Sequence, residues 1–155
     1  MTEQKIWGND GTKPILDSIF EVYQHLGPGL LESVYEEALM IELASRGIHA
    51  RRQVPVRATY KGKDLGMDFV IDILVEESIV LELKSVEQLH PVHYKQLLTY
   101  LKLADKRLGF LVNFNEHILK NGIKRVVHNY VEPTNNNKKL SAFAPSRETV
   151  EAKVN

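Results

Sequence analysis

Asp68-Phe69-Val70-Ile71-Asp72-Ile73-Leu74-Val75-Glu76-Glu77-Ser78-Ile79-Val80-Leu81-Glu82-Leu83-Lys84 decides how this chain folds. Two β-branched, apolar runs flank a short acidic break, the pattern of an antiparallel hairpin. Side chains alternate along a strand. Asp68, Val70, Asp72 and Leu74 therefore share one face of the first run, while Phe69, Ile71, Ile73 and Val75 make the other wholly apolar. In the second run Glu82 and Lys84 fall on one side, and Ile79, Leu81 and Leu83 on the opposite one. With Glu76, Glu77 and Ser78 as the loop, Val75 faces Ile79, and counting back along both strands sets Asp72 against Glu82. Their Cβ atoms are then about 4.5–5.5 Å apart and the carboxylates repel.

A cation would turn that repulsion into binding. Two carboxylates and hydration water are the usual equipment for Mg²⁺, and Mn²⁺ suits the same oxygen donors. Such an ion acidifies water and neutralises charge on a phosphoryl group. Lys84, one pleat beyond Glu82, is placed to hold that water or to stabilise negative charge in the transition state. The set points to metal-assisted phosphodiester hydrolysis. The competing reading is a solvated hairpin face on which Lys84 merely balances charge, since sheets with one wet face are common. Against it, both acids interrupt nearly continuous apolar runs typical of buried strands, where unpaired charge is costly.

Upstream of the hairpin, Ile15, Ile19, Val22, Tyr23 and Leu26 recur at helical spacing until Gly27-Pro28-Gly29 stops the helix. Leu30 to Ser45 carries a second apolar-rich helix, closed by Gly47. Val54, Val56 and Ala58 then alternate with polar residues as a strand, and Tyr60-Lys61-Gly62-Lys63-Asp64 reads as a turn. Downstream, Pro91 opens a helix through Leu103, and Leu108 to Phe114 forms a further strand. Ile123 to Val131 adds a short strand or helix. The order is helix, helix, three strands, helix, strand, an α/β fold with a mixed sheet. Residues 1–13 form a polar leading segment with a turn at Asn9-Asp10-Gly11, residues 14–132 one domain, and residues 133–155 a polar, mobile tail with a weak helix around Glu148 to Val154.

The 155 residues leave room for one domain of ordinary size. Twenty basic and twenty acidic side chains cancel, so the whole molecule exerts no net pull on a polyanion. The distribution is uneven: residues 1–80 hold 8 basic and 13 acidic side chains, residues 81–155 hold 12 and 7, and nucleic-acid contact is expected in the second half. Lys95, Lys102, Lys106, Arg107, Lys120, Lys124 and Arg125 supply positive charge there for a phosphate backbone, with scattered solubilising charge as the alternative. Absence of cysteine excludes a disulfide framework, a thiol nucleophile and an iron–sulfur cluster. No signal-like or membrane-spanning run is present, so a cytoplasmic, membrane-free protein is expected. His90 and His93 lack a third zinc ligand, and Gly27-Pro28-Gly29 lacks the Lys-Ser/Thr of a phosphate loop.

Asp72 followed by Glu82-Leu83-Lys84 resembles the PD-(D/E)XK nuclease signature on consecutive strands, with Ile71 where many members have proline. Gly29-Leu30-Leu31-Glu32-Ser33-Val34-Tyr35, followed by Ala38-Leu39, resembles the motif that names the GxxExxY family. Gln96-Leu97-Leu98-Thr99-Tyr100-Leu101-Lys102-Leu103, Leu111-Val112-Asn113-Phe114 and Gly122-Ile123-Lys124-Arg125 resemble that family in order and spacing. The resemblance implies a restriction-endonuclease-like core in which Asp72, Glu82 and the Leu83 carbonyl bind metal, Glu32 adds a helical acid, and Lys84 assists the attacking water. Tyr35 is expected to pack beneath the site. Gln96 and Tyr100, neighbours on one helical face, resemble the third motif of RecB-type nucleases, which positions the scissile strand. A Mg²⁺-dependent deoxyribonuclease is the expected activity. The alternatives are a silent nucleic-acid-binding module and a protein-interaction domain, including a homodimer.

Overall fold

The computed structural model describes residues 11–131, together with the backbone of Lys153 and Val154. The leading segment up to residue 10 and almost all of the expected tail lie outside the described residues. Two helices, α1 (Lys13–Leu26) and α2 (Glu32–Ser45), precede the strands β1 (Ala50–Tyr60), β2 (Lys63–Val75) and β3 (Ile79–Lys84). Helix α3 (Pro91–Ala104) follows, then β4 (Leu108–Asn113), a 3₁₀ turn (Leu119–Gly122), β5 (Ile123–Val127) and the two-residue β6 (Lys153–Val154). Of the stretch from Ile123 to Val131, Ile123–Val127 is a strand, and Lys153 and Val154 pair with β5 instead of closing a helix.

The elements form where their punctuation directs. Gly27 takes φ 68°, a left-handed turn that a side chain resists, and its N–H donates to the Tyr23 carbonyl at 2.7 Å. Pro91 opens α3, where its missing N–H costs nothing. Neighbouring strands follow chain order from β1 to β6. Only β3 and β4 run parallel, joined by α3, and the other neighbours are antiparallel. One face packs on α1 and α2 through Ile19, Leu39, Ile73, Leu81 and Phe110. The other packs on α3 through Leu97, Leu101, Leu74, Val80 and Leu111. This mixed sheet flanked by helices is the restriction-endonuclease-like arrangement expected from the sequence.

The hairpin register is the one the loop implied: Val75 pairs with Ile79, Leu74 with Val80 and Ile73 with Leu81. The single apolar face expected for β2 is corrected. Ile73 and Val75 belong to the α1/α2 side, whereas Ile71 and its neighbour Phe69 pack on the α3 side. The change falls at Asp72. Opposite it in β1 stands Gln53 with φ 52°, and the β1–β2 ladder runs from Arg52–Ile73 to Val54–Ile71 with no pair between them. A left-handed residue within a strand turns everything beyond it, so the outer hairpin lays its apolar side on α3. There Phe69 stacks on Tyr100 with ring centroids 4.5 Å apart.

Tyr35 lies in the core, its ring stacked on Phe114 at 4.3 Å. Its hydroxyl donates to the Gly27 carbonyl at 2.5 Å and accepts from the Leu30 N–H at 3.2 Å. It thereby fixes the loop that delivers Glu32. Tyr35→Phe is expected to cost about 1–2 kcal/mol, because part of the Gly27 and Leu30 bonding is left unmade. Urea unfolding measures this, and an unchanged midpoint would contradict it.

Candidate active site

The β2–β3 backbone ladder ends at Ile73 and Leu81. At the next position side chains take over the cross-strand bonding. Asp72 N–H donates to Glu82 Oε1 at 3.3 Å, and Leu83 N–H donates to Asp72 Oδ2 at 2.8 Å. The two acids therefore face each other as the register implied, each bound to the other strand's backbone.

Glu82 is 5% exposed. Burial, followed by the charge of Asp72, pushes its carboxyl up to about 8. Asp72 also titrates above the ordinary carboxylate range, first because it is buried, with the Leu83 N–H pulling the other way. Two crowded, desolvated carboxyls cannot both ionise cheaply, so the pair retains a proton at neutral pH unless a cation replaces it. The Lys84 charge opposes both upward shifts and, after burial, helps to lower His93, which places the ammonium within electrostatic reach of all three groups.

Helix α2 approaches Asp72 from one side. Glu32 Oε1 accepts from the Ser85 N–H at 3.3 Å, and Ser85 Oγ donates to the Leu30 carbonyl at 2.6 Å, so the end of β3 is stitched to the start of the helix. Between them lies a pocket of about 220 Å³ lined by Glu32, Ser33, Glu36, Gln53, Asp72 and Leu83. Glu82 and Lys84 do not line this pocket. Sequence reasoning missed Glu36 and Gln53. Glu36 raises the Asp72 carboxyl more than Glu32 does. The available signal was the Glu32–Glu36 spacing of four, since like charges on one helical face are mildly destabilising and call for a reason.

Helix α3 approaches from the other side. Burial, then Glu82 and Asp72, push the Tyr100 hydroxyl upward, so it stays protonated opposite the acids. Gln96 Nε2 donates to the Tyr100 hydroxyl at 3.1 Å. Gln96 itself is exposed. His93 Nδ1 accepts from the His90 N–H at 3.0 Å, so the two histidines organise the start of α3.

The donors suit a hard divalent ion: carboxylate oxygens, with neither thiolate nor imidazole at Asp72 and Glu82. Among the described residues no three His, Asp or Glu side chains gather into a ready ligand cluster. An ion held by this pair would keep part of its water shell, as Mg²⁺ does in most protein sites. The basic surface needs correction. Arg107 and Arg125 are 1% and 3% exposed, and Arg125 packs against the Tyr130 ring at 4.9 Å. These two cations are core groups and do not form a phosphate track. Among the described residues no helix is long and apolar enough to cross a membrane.

No curated protein and no solved structure matches the chain. Residues 9–126, running from just before α1 into β5 and including Glu32, Glu36, Asp72 and Glu82, match the family model of the PD-(D/E)XK nuclease superfamily. With the mixed sheet and the Asp72, Glu82-Leu83-Lys84 arrangement in the matched region, the chain belongs to the PD-(D/E)XK nuclease superfamily.

Proposed function

We propose that this protein is a GxxExxY-type deoxyribonuclease that hydrolyses phosphodiester bonds with Mg²⁺, Mn²⁺ serving in its place. The observation that carries this reading is the crossed bonding of Asp72 and Glu82 where their ladder ends, with Lys84 one pleat beyond. Asp72, Glu82 and the Leu83 carbonyl would hold the ion, with Glu32 contributing from α2. When bound, the ion supplies neutralisation of phosphoryl charge and a more acidic water.

The remaining roles belong to the chain. Lys84 orients the attacking water and offsets the negative charge that grows on the phosphoryl oxygens. Tyr100, kept protonated beside the acids, donates a hydrogen bond to the scissile strand, and Gln96 steadies its hydroxyl. The likeness of Gln96 and Tyr100 to the RecB-type motif favours a single strand over a closed duplex.

Incubation with single-stranded DNA, duplex DNA and RNA tests the reading. The expected result is cleavage of DNA in Mg²⁺ or Mn²⁺, faster on single strands, and no cleavage in chelator. DNA binding with steep salt dependence and no cleavage in either metal would indicate a silent binding module. Cleavage confined to RNA would remove the DNA assignment.

A further inference from the structure

Gln53 occupies the most unusual backbone position near the pocket. Left-handed φ is uncommon for any residue with a side chain and costs about 1 kcal/mol or more. Such a conformation persists only where the surroundings enforce it, and it gathers at functional sites. Here it falls in mid-strand, opposite Asp72, where the β1–β2 ladder skips a pair.

The consequence is visible in the two side chains. Successive residues of a regular strand point to opposite faces, yet Arg52 and Gln53 both reach α2. Arg52 Nη1 pairs with Glu37 Oε2, and Gln53 Nε2 donates to Glu36 Oε1 at 2.5 Å. The left-handed turn thus delivers two neighbouring side chains to two neighbouring acids of one helix. Glu36 is half-buried, lines the pocket and acts electrostatically on Asp72. A carboxylate on a flexible side chain would sample several rotamers, and one amide bond selects among them.

We infer that Gln53 is a positioning residue, whose left-handed backbone and side-chain amide together aim Glu36 into the pocket beside Asp72. This rests on the nuclease reading above for its consequence in catalysis, but not for its consequence in ion binding. Gln53 acts only through Glu36 and touches no reacting atom. Holding the Glu36 charge close to Asp72 strengthens the attraction for a divalent ion there.

The test compares full-length wild type with Gln53→Gly, Glu36→Gln and the double variant. Three quantities are read: thermal midpoint, calorimetric Mn²⁺ affinity and DNA cleavage kinetics. Glycine accepts the left-handed backbone freely, so Gln53→Gly should melt no lower than wild type. Its Mn²⁺ affinity and its kcat should each fall about tenfold, with KM for DNA within about twofold. Adding Gln53→Gly to Glu36→Gln should change nothing further, because residues acting as a unit are not additive. Wild-type affinity and kcat in Gln53→Gly, a marked loss of its thermal stability, or losses that multiply in the double variant would each overturn the inference. If wild type binds Mn²⁺ but cleaves nothing, the nuclease reading fails and the Mn²⁺ comparison alone decides the role of Gln53. If wild type binds no Mn²⁺, both fall.

Discussion

Replacing Lys84 with methionine is expected to slow DNA cleavage about 10³-fold at saturating Mg²⁺ without weakening the affinity for the ion. The two effects separate because Lys84 and the acids do different things. Its positive charge lowers the carboxyl pKa values of Asp72 and Glu82, so the site already feels a cation, and removing it leaves more negative charge for Mg²⁺. On the proposed reading the same charge faces the phosphoryl oxygens and the attacking water in the transition state. Methionine retains most of the aliphatic stem of this half-buried side chain, which limits any packing loss. Single-turnover cleavage with calorimetric Mg²⁺ titration measures both quantities. Wild-type cleavage would remove Lys84 from the mechanism, and lost ion affinity would make it a structural support.

The second large effect concerns stability against pH. The Glu82 carboxyl stands at about 8 in the folded chain against 4.5 ordinarily. Between those values the folded protein holds a proton that the unfolded chain has released, so stability falls as pH rises across that window and levels off above it. A shift of this size in a buried group amounts to something on the order of 5 kcal/mol. Glutamine has the shape of the protonated acid and does not ionise. Glu82→Gln should therefore match wild type near pH 5 and melt on the order of 10 °C higher near pH 9, without added metal. Saturating Mg²⁺ should close that gap by stabilising only wild type. A variant that melts at or below wild type throughout would show that Glu82 is not under this strain.

The hairpin was legible because its information is local. Glu76, Glu77 and Ser78 leave one sensible loop, the loop fixes the register, and the register sets Asp72 against Glu82. Gly27 and Pro91 marked helix boundaries for similarly local reasons. Gln53 was illegible: Arg52-Gln53-Val54-Pro55 carries no glycine or asparagine to announce a left-handed residue. The reversal of the outer hairpin goes with it, so Phe69 and Ile71 do not share a face with Ile73 and Val75 as strict alternation implied. Glu36 escaped because an acid on a helix is ordinarily solvated, and only the arrival of β1 makes it part of a pocket. Arg107 and Arg125 were misjudged because a count of charges carries no information on depth.

Calorimetric titration of Mn²⁺ near pH 7, repeated in two buffers of different ionisation enthalpy, addresses the divalent-ion site most directly. A carboxyl pair that shares a proton must release it when the ion arrives. Wild type should bind Mn²⁺ with release of close to one proton per ion, and Asp72→Asn should show no binding. Binding without proton release, or undiminished binding by Asp72→Asn, would contradict an ion held between these two acids.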